Sequence, residues 1–124
     1  METRAPKNSN ASNLPERLNA ILADLQDHKA QDVVSLDIST QAGNFADYLL
    51  VATASSQRHA RSLADALADV CHKNGYEYLR VEGYQEGQWI LVDLNDIVVN
   101  IFQADTRQLY RLEDLWGNIS KGQA

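Results

Sequence analysis

The chain has a single cysteine, two prolines and no long hydrophobic run. One cysteine, Cys71, excludes an internal disulfide framework and a cysteine-rich metal site. No apolar stretch approaches the roughly 20 residues that a membrane-spanning helix needs. The first residues, about 13 in number, lack the apolar segment of a signal peptide and, with Glu2 among them, match a transit peptide poorly. The sequence therefore predicts a cytoplasmic protein that has no contact with a membrane.

Basic residues are also scarce. Lys and Arg total 11 against 17 Asp and Glu, which gives a formal net charge of −6. Proteins that bind nucleic acids gain affinity by neutralising phosphates and usually carry a basic stripe. Here Arg58, Arg61, Arg107 and Arg111 are scattered among acids along the chain. We therefore predict little direct nucleic-acid binding, and a basic protein as the partner that an acidic surface would attract.

The length of 124 residues suits one domain, and a hydrophobic fraction of 44% is sufficient for a core. Residues 1–12 are polar and predict a disordered N-terminal tail. Residues 13–116 form the predicted domain, and residues 117–124 a C-terminal tail.

Two helices are predicted from apolar residues at helical spacing. Residues 13–29 begin with an asparagine cap, and Glu16 stands in the capping-box position. Residues 56–73 form the second helix, capped by Ser55 and ended by Gly75 in a left-handed turn. Its apolar stripe includes the cysteine, which is typical of a small buried hydrophobe.

Five strands are predicted at residues 33–38, 47–53, 77–82, 88–93 and 96–103. A short final helix is predicted at 105–110, with a further turn at 112–116 that places Trp116 over the core. Leu94 and Asn95 fit a two-residue hairpin loop between the last two strands, because asparagine tolerates positive φ. The order α-β-β-α-β-β-β-α contains one helical crossover. It predicts a single α/β domain with a mixed, mostly five-stranded sheet and packed helices.

Nucleotidyl transfer is the strongest enzyme hypothesis, because that fold class also joins a strand, a serine-rich turn and a helix. Its chemistry needs two carboxylates about two residues apart on one strand face to hold a divalent metal. The nearest pair, Asp93 and Asp96, is three residues apart and lies at the two ends of the predicted turn. Ser55 and Ser56 precede a helix, but the glycines and lysine of a phosphate loop are missing.

Other catalytic and metal sites find no support in the spacing. No two of the three histidines are four residues apart on a helix. Ser56, His59 and Asp47 have the residue types of a catalytic triad, but no nucleophile elbow is present. We predict no catalytic residue, no metal and no cofactor. A residual nucleotide-binding enzyme that uses Ser55, Ser56 and Asp93 stays open as the alternative.

The segment from residue 83 to residue 96 carries a different signal. Trp89, Leu91 and Asp93 alternate with Ile90 and Val92, so that the first three share one face of a strand. If the helices cover mainly the other face, the tryptophan offers an apolar anchor with an acidic rim. The predicted partner-binding residues are Trp89, Leu91, Asp93, Asp96, Glu82 and Tyr84. The alternative that the tryptophan simply belongs to the core stays open.

Three stretches of the chain follow one another in a familiar order. They are DYLLVAT (47–53) with SSQRH (55–59), VEG (81–83) with WILVD (89–93), and DIVV (96–99) with Phe102, Arg107, Tyr110, LE (112–113) and LW (115–116). With these residues the chain resembles the ribosomal silencing factors, the Iojap-related family, over roughly residues 18–116.

The resemblance implies a nucleotidyltransferase-like fold without the catalytic carboxylates. It also implies binding to the large ribosomal subunit through ribosomal protein L-fourteen, a block on joining of the small subunit, and repression of translation when nutrients are scarce. The docking strand of the family corresponds to Trp89, with Asp93 near it. Two positions depart from the family, which usually has Gly at Asn95 and often His at Asn100; we predict no function for Asn100. A face that carries a tryptophan can also pair with itself, so a homodimer of the free protein is a further expectation.

Overall fold

The computed structural model describes residues 13–40, 43 and 45–111. The elements are α1 (Leu14–Asp27), β1 (Gln31–Asp37), β2 (Tyr48–Ala54), α2 (Gln57–Asn74), β3 (Arg80–Glu82), β4 (Trp89–Asp93), β5 (Ile97–Gln103) and α3 (Ala104–Tyr110). The two predicted tails and the predicted turn with Trp116 lie outside the described residues. None of the helices in the described part is both long and apolar enough to cross a bilayer.

The strands form one sheet in the order β1-β2-β5-β4-β3. Strands β2 and β5 run parallel, and every other neighbouring pair is antiparallel. The predicted mixed five-stranded α/β fold is therefore confirmed. The crossover through α2 leads from the second strand to the far edge of the sheet, so the parallel partner of β2 is the last strand and not the next one along the chain.

Helices α1 and α2 cover one face of the sheet, because each presents an apolar stripe to it. The resulting core contains Ile21, Leu25, Leu50, Leu63, Leu67, Ile90, Val92 and Ile101. Each aliphatic side chain buried in this way contributes roughly 1.5–3 kcal/mol relative to an exposed one. Cys71 is fully buried in the same cluster, and burial raises the pKa of its thiol to about 11. The prediction that the cysteine is a core residue is confirmed.

The N-terminal caps of the two long helices differ from the prediction. The Asn13 side chain does not cap α1; its Oδ1 accepts a hydrogen bond from Arg17 Nε at 2.8 Å, so the predicted capping box is wrong. The cap of α2 is Ser56 and not Ser55, because Ser56 Oγ accepts from the backbone N–H of His59 at 3.0 Å. Gly75 ends that helix at φ 69°, as predicted.

The opposite face of the sheet has a smaller apolar cluster. Its buried members are Leu36, Ile38, Ala46, Leu49 and Val98, with Leu91 partly buried beside them. This face continues across β5, β4 and β3, because Leu91 of β4 lies opposite Asn100 of β5 and Glu82 of β3. The second face is where β4 places its tryptophan.

Candidate docking face

Strand β4 divides its side chains between the two faces of the sheet as the alternation predicts. Ile90 and Val92 are fully buried in the core with the helices. Trp89, Leu91 and Asp93 lie on the opposite face and stay partly exposed. We call the surface formed by Glu82, Trp89, Leu91, Asp93 and Tyr110 the Trp89 face.

The indole of Trp89 is held in one orientation by three neighbours. Its ring centroid lies 4.9 Å from that of Phe102 and 4.8 Å from that of Tyr110. Its Nε1 donates a hydrogen bond to Asn100 Oδ1 at 2.9 Å. Phe102 is fully buried, whereas Tyr110 is 54% exposed and extends the aromatic surface outward. The indole is therefore fixed on its inner side while part of its surface remains accessible.

Asn100, for which no function was predicted, holds the indole from the neighbouring strand. It is 1% exposed, and its Nδ2 donates to the Leu50 carbonyl oxygen at 3.4 Å while its Oδ1 accepts from the indole. A buried amide normally has such partners, because an unpaired one costs about 1–3 kcal/mol. Asn100 is the one polar residue within the apolar run of residues 97–102, and it lies diagonally opposite Trp89 on the neighbouring strand. This isolated polar residue is the sequence signal that could have indicated a hydrogen bond to the indole.

The acidic rim of the Trp89 face also contains a cation, Arg80, that was not predicted. Arg80 Nε lies 2.7 Å from Glu82 Oε2, and its Nη1 lies 3.1 Å from Asp93 Oδ2. Arg80 stands directly opposite Asp93 in the register of β3 and β4. The structure therefore brings Glu82 and Asp93 together as predicted, and places one guanidinium between them.

Asp96 lies away from this rim. Its carboxylate accepts from Arg17 Nη1 at 2.8 Å and from Arg17 Nη2 at 2.7 Å, and Arg17 is only 1% exposed. Leu94 N donates to the Ile97 carbonyl oxygen at 2.9 Å, so the hairpin loop is Asn95-Asp96, one residue later than predicted. The positive φ predicted for Asn95 is confirmed at 81°. Asp96 fastens α1 to this loop.

Tyr84 lies on the helix side of the sheet. Its hydroxyl donates to Asp65 Oδ2 at 3.1 Å, and this hydrogen bond to a carboxylate raises the pKa of the phenol. The guanidinium of Arg61, which donates to the Tyr84 carbonyl oxygen at 3.1 Å, lies 5.9 Å from the centroid of the ring. Tyr84 thus anchors the loop before β4 to α2 and does not flank Trp89.

That loop also needs a glycine. Gly83 has φ 79°, and a side chain there would collide with the Trp89 carbonyl oxygen. Gln57 Nε2 donates to the Glu86 carbonyl oxygen at 2.8 Å, which ties the loop to the start of α2. Hydrogen bonds with α2, from Gln57 and Arg61 and to Asp65, and one close backbone approach therefore fix where Trp89 enters the sheet.

The residues of the enzyme hypothesis are engaged in local structure. His59 Nδ1 accepts from the Ser55 backbone N–H at 2.9 Å, and its Nε2 contacts the His28 carbonyl oxygen at 2.8 Å. Asp93 Oδ1 accepts from the Asn95 backbone N–H at 2.9 Å, while Asp96 pairs with α1. In the part of the chain that the structure describes, no group of three or more His, Cys, Asp or Glu side chains is arranged to hold a metal ion.

The fold and the site define a class of protein: a small mixed α/β domain that presents a tryptophan-bearing sheet face. The family model described as "Ribosomal silencing factor during starvation" matches residues 11–124. The chain therefore belongs to the ribosomal silencing factor family, as the resemblance predicted.

Individual relatives agree with this assignment. The chain is 36% identical over 110 residues to the ribosomal silencing factor RsfS of Halalkalibacterium halodurans, covering 89% of this chain and 90% of the relative. It is 37% identical over 92 residues to RsfS of Bacillus subtilis, covering 74% and 77%. A mouse protein named "Mitochondrial assembly of ribosomal large subunit protein 1" is 25% identical over 97 residues, covering 74% of this chain and 41% of its own length.

Two crystal structures have the same fold. A protein from Chromobacterium violaceum superposes with a TM-score of 0.78 at 30% identity, covering 83% of this chain and 85% of the other. A protein from Bacillus halodurans superposes with a TM-score of 0.73 at 34% identity, covering 82% and 94%.

Proposed function

We propose that this protein acts in the cytoplasm by docking on the large ribosomal subunit through the Trp89 face, with ribosomal protein L-fourteen as the direct partner. Docking blocks association with the small subunit and represses translation, notably when nutrients are limiting. The protein acts by occupancy and needs no catalytic turnover. The family description and the resemblance supply the ribosome as the target, and the Trp89 face supplies the place of contact.

The main support for the proposal is that the Trp89 indole is fixed in position and still partly exposed. Trp89 is packed on Phe102 and Tyr110 and hydrogen-bonded to Asn100, yet it remains partly exposed. An anchor that is already fixed loses little side-chain entropy on binding, so more of its contact energy appears as affinity. Tryptophan and tyrosine are also enriched among the residues that dominate binding energies.

Charge favours a basic partner at the same place. Glu82 and Asp93 lie beside the apolar centre and leave one net negative charge after pairing with Arg80, and the chain as a whole has a net charge of −6. A negative surface speeds the encounter with a positive one and repels negative RNA around it. The face is therefore suited to a positively charged protein surface and selects it over the RNA that surrounds it.

The block is steric. A folded domain of about 100 residues has a radius of gyration of roughly 13 Å, which corresponds to a body roughly 33 Å across. Subunit joining needs direct contact between two preformed surfaces. A body of this size on one of them prevents that contact without any chemical step.

Affinity for isolated large subunits and for purified ribosomal protein L-fourteen tests the docking face. Trp89→Ala is expected to lower both affinities by about 30- to 1,000-fold, which is ~2–4 kcal/mol. Leu79→Ala is the matched control, because Leu79 is 50% exposed and lies outside the Trp89 face. Circular dichroism checks that both variants fold. If wild type fails to bind, or Trp89→Ala binds as wild type does, the proposal is wrong.

Subunit joining tests the consequence of docking. Purified protein added to separated subunits is expected to reduce the fraction of whole ribosomes on a sucrose gradient, and Trp89→Ala is expected to have no such effect. Whole ribosomes that form normally in the presence of saturating wild-type protein would contradict the steric block.

A further inference from the structure

A groove lined mostly by polar and charged residues runs along the edge of the sheet where the parallel strands β2 and β5 end. It consists of three adjoining depressions of about 410, 450 and 620 Å³. Gln31, Thr53 and Ala104 line the first two, and Gln31 and Ser55 line the second and third, so the depressions are continuous. We call this surface the carboxyl-edge groove. The carboxyl ends of strands are the usual binding edge of open α/β sheets.

The charge of the groove differs from that of the chain as a whole. Its charged lining residues are Lys29, Arg58, Arg107, Arg111, Asp27, Asp32 and Asp105. Four bases against three acids give the groove a formal charge of +1, so all other residues of the chain together carry −7. His28 and His59 line the same surface. The fold therefore gathers bases that lie far apart in the sequence onto one edge of an acidic protein.

The bases at the two ends of the groove are placed differently. Arg107 Nη1 donates to the Asp32 carbonyl oxygen and to Thr53 Oγ1, both at 2.7 Å, so its stem is fixed between β1, β2 and α3. Lys29 and Arg58 are exposed at the other end, and neither forms an ion pair with any residue that the structure describes. One cation of the groove, Arg107, is thus anchored, and two others, Lys29 and Arg58, extend into solvent.

We propose that the carboxyl-edge groove contacts an RNA phosphate backbone once the Trp89 face has docked. Arg and Lys side chains, Ser and Thr hydroxyls and Gln amides are the groups that contact phosphates in nucleic-acid complexes, and the lining contains all of them. The described lining contains no Trp, Tyr or Phe on which a base would stack. The contact is therefore with the backbone and independent of sequence.

The inference rests on the proposed function, because docking on the large subunit is what brings ribosomal RNA to the groove. The free protein repels RNA through its charge of −6, so the groove alone binds RNA weakly, in accord with the composition. After docking, the second contact is intramolecular, with an effective concentration on the order of millimolar. A weak phosphate contact then adds to the affinity for the subunit.

Charge removal in the groove tests this inference. Lys29→Gln, Arg58→Gln and the double variant are compared with Lys73→Gln, which removes the same charge from an exposed position near the end of α2, outside the groove lining. Affinities for isolated large subunits and for purified ribosomal protein L-fourteen are measured between about 50 and 200 mM salt.

The double variant is expected to bind large subunits about 5- to 15-fold more weakly at low salt, and the slope of log affinity against log salt falls by about 1–2. Its affinity for isolated L-fourteen remains that of wild type. The inference alone is overturned if the double variant matches Lys73→Gln on subunits. Loss of affinity for both targets assigns the bases to the protein contact and overturns it as well. Failure of wild type to bind subunits overturns both the inference and the proposed function.

A thermal melt distinguishes RNA from a free nucleotide as the source of the phosphate. Wild type is expected to keep the same Tm with ATP, CTP and magnesium and with inorganic phosphate. A Tm increase that the double variant loses would assign the groove to a small phosphate ligand, and the assignment to RNA would then be wrong.

Discussion

The Trp89 face and the carboxyl-edge groove differ both in chemistry and in how the chain builds them. The face is aromatic with an acidic rim, and most of it comes from neighbouring residues of one strand, β4. The groove is lined mostly by polar and charged residues, four of them bases, and its lining comes from the ends of α1, β2 and β5, the starts of β1 and α2, and α3. A surface made within one strand can be recognised from alternation, whereas one gathered from six elements cannot. Under the two proposals, the Trp89 face binds a ribosomal protein and the groove contacts ribosomal RNA.

The largest expected effect is a loss of stability in the variant Arg17→Met. This variant tests whether Asp96 stabilises the fold or belongs to the Trp89 face. Arg17→Met leaves the Asp96 carboxylate without its bidentate partner, and breaking a buried ion pair in this way costs about 3–5 kcal/mol. A urea titration measures this loss as a lower free energy of unfolding. The folded fraction is expected to keep wild-type affinity for L-fourteen.

The control for that variant is the double replacement Arg17→Met with Asp96→Leu, which removes both charges and is expected to restore most of the stability. A decrease of less than about 1 kcal/mol in the free energy of unfolding of the single variant, or a lower affinity of its folded fraction for L-fourteen, would indicate that Asp96 belongs to the docking surface.

An intermediate effect concerns the orientation of the anchor. Asn100→Ala removes the acceptor of the indole N–H, and affinity for L-fourteen is expected to fall by about 5- to 30-fold, which is ~1–2 kcal/mol. Asn100→His is the matched control, because a ring nitrogen can accept the same hydrogen bond. Equal affinities for wild type and Asn100→Ala would mean that Phe102 and Tyr110 alone position the indole.

The smallest effect concerns the cation in the acidic rim. Arg80→Gln frees Glu82 and Asp93, so a basic partner is expected to bind about 2- to 5-fold more tightly at low salt, through faster association. The gain should disappear at high salt because exposed charges are screened. Stopped-flow association rates measure it, and Arg80→Gln with Glu82→Gln serves as the charge-matched control. Weaker binding of Arg80→Gln would show that Arg80 itself contacts the partner.

Much of the fold could be predicted because its signals are local. The alternation over β4 predicts which of its side chains are buried, and the structure confirms it. The apolar run over β2 likewise corresponds to a strand that is buried along nearly its whole length. The predicted hairpin loop lies one residue before the observed one, because Asp96 is held in the loop by Arg17, 79 positions earlier in the chain. Periodicity within a short window contains no information about such a partner.

The candidate site divides in the same way. Trp89, Leu91 and Asp93 share a face because they alternate, and Glu82 joins them through the strand register. Tyr84 was placed wrongly because its partner, Asp65, lies on a helix 19 residues earlier. The bases of the groove appeared scattered because only the folded sheet brings residues 29, 58 and 107 to one edge.

The parallel pairing at the centre of the sheet has a consequence during synthesis. Tyr48 pairs with Ile97, which follows it by 49 positions, so the apolar β2 emerges with one edge unpaired until β5 has been translated. At about 5–20 residues per second, that interval lasts roughly 2–10 s. An unpaired apolar edge readily pairs with other chains. This member of the ribosomal silencing factor family is thus most prone to aggregate while a ribosome is still making it.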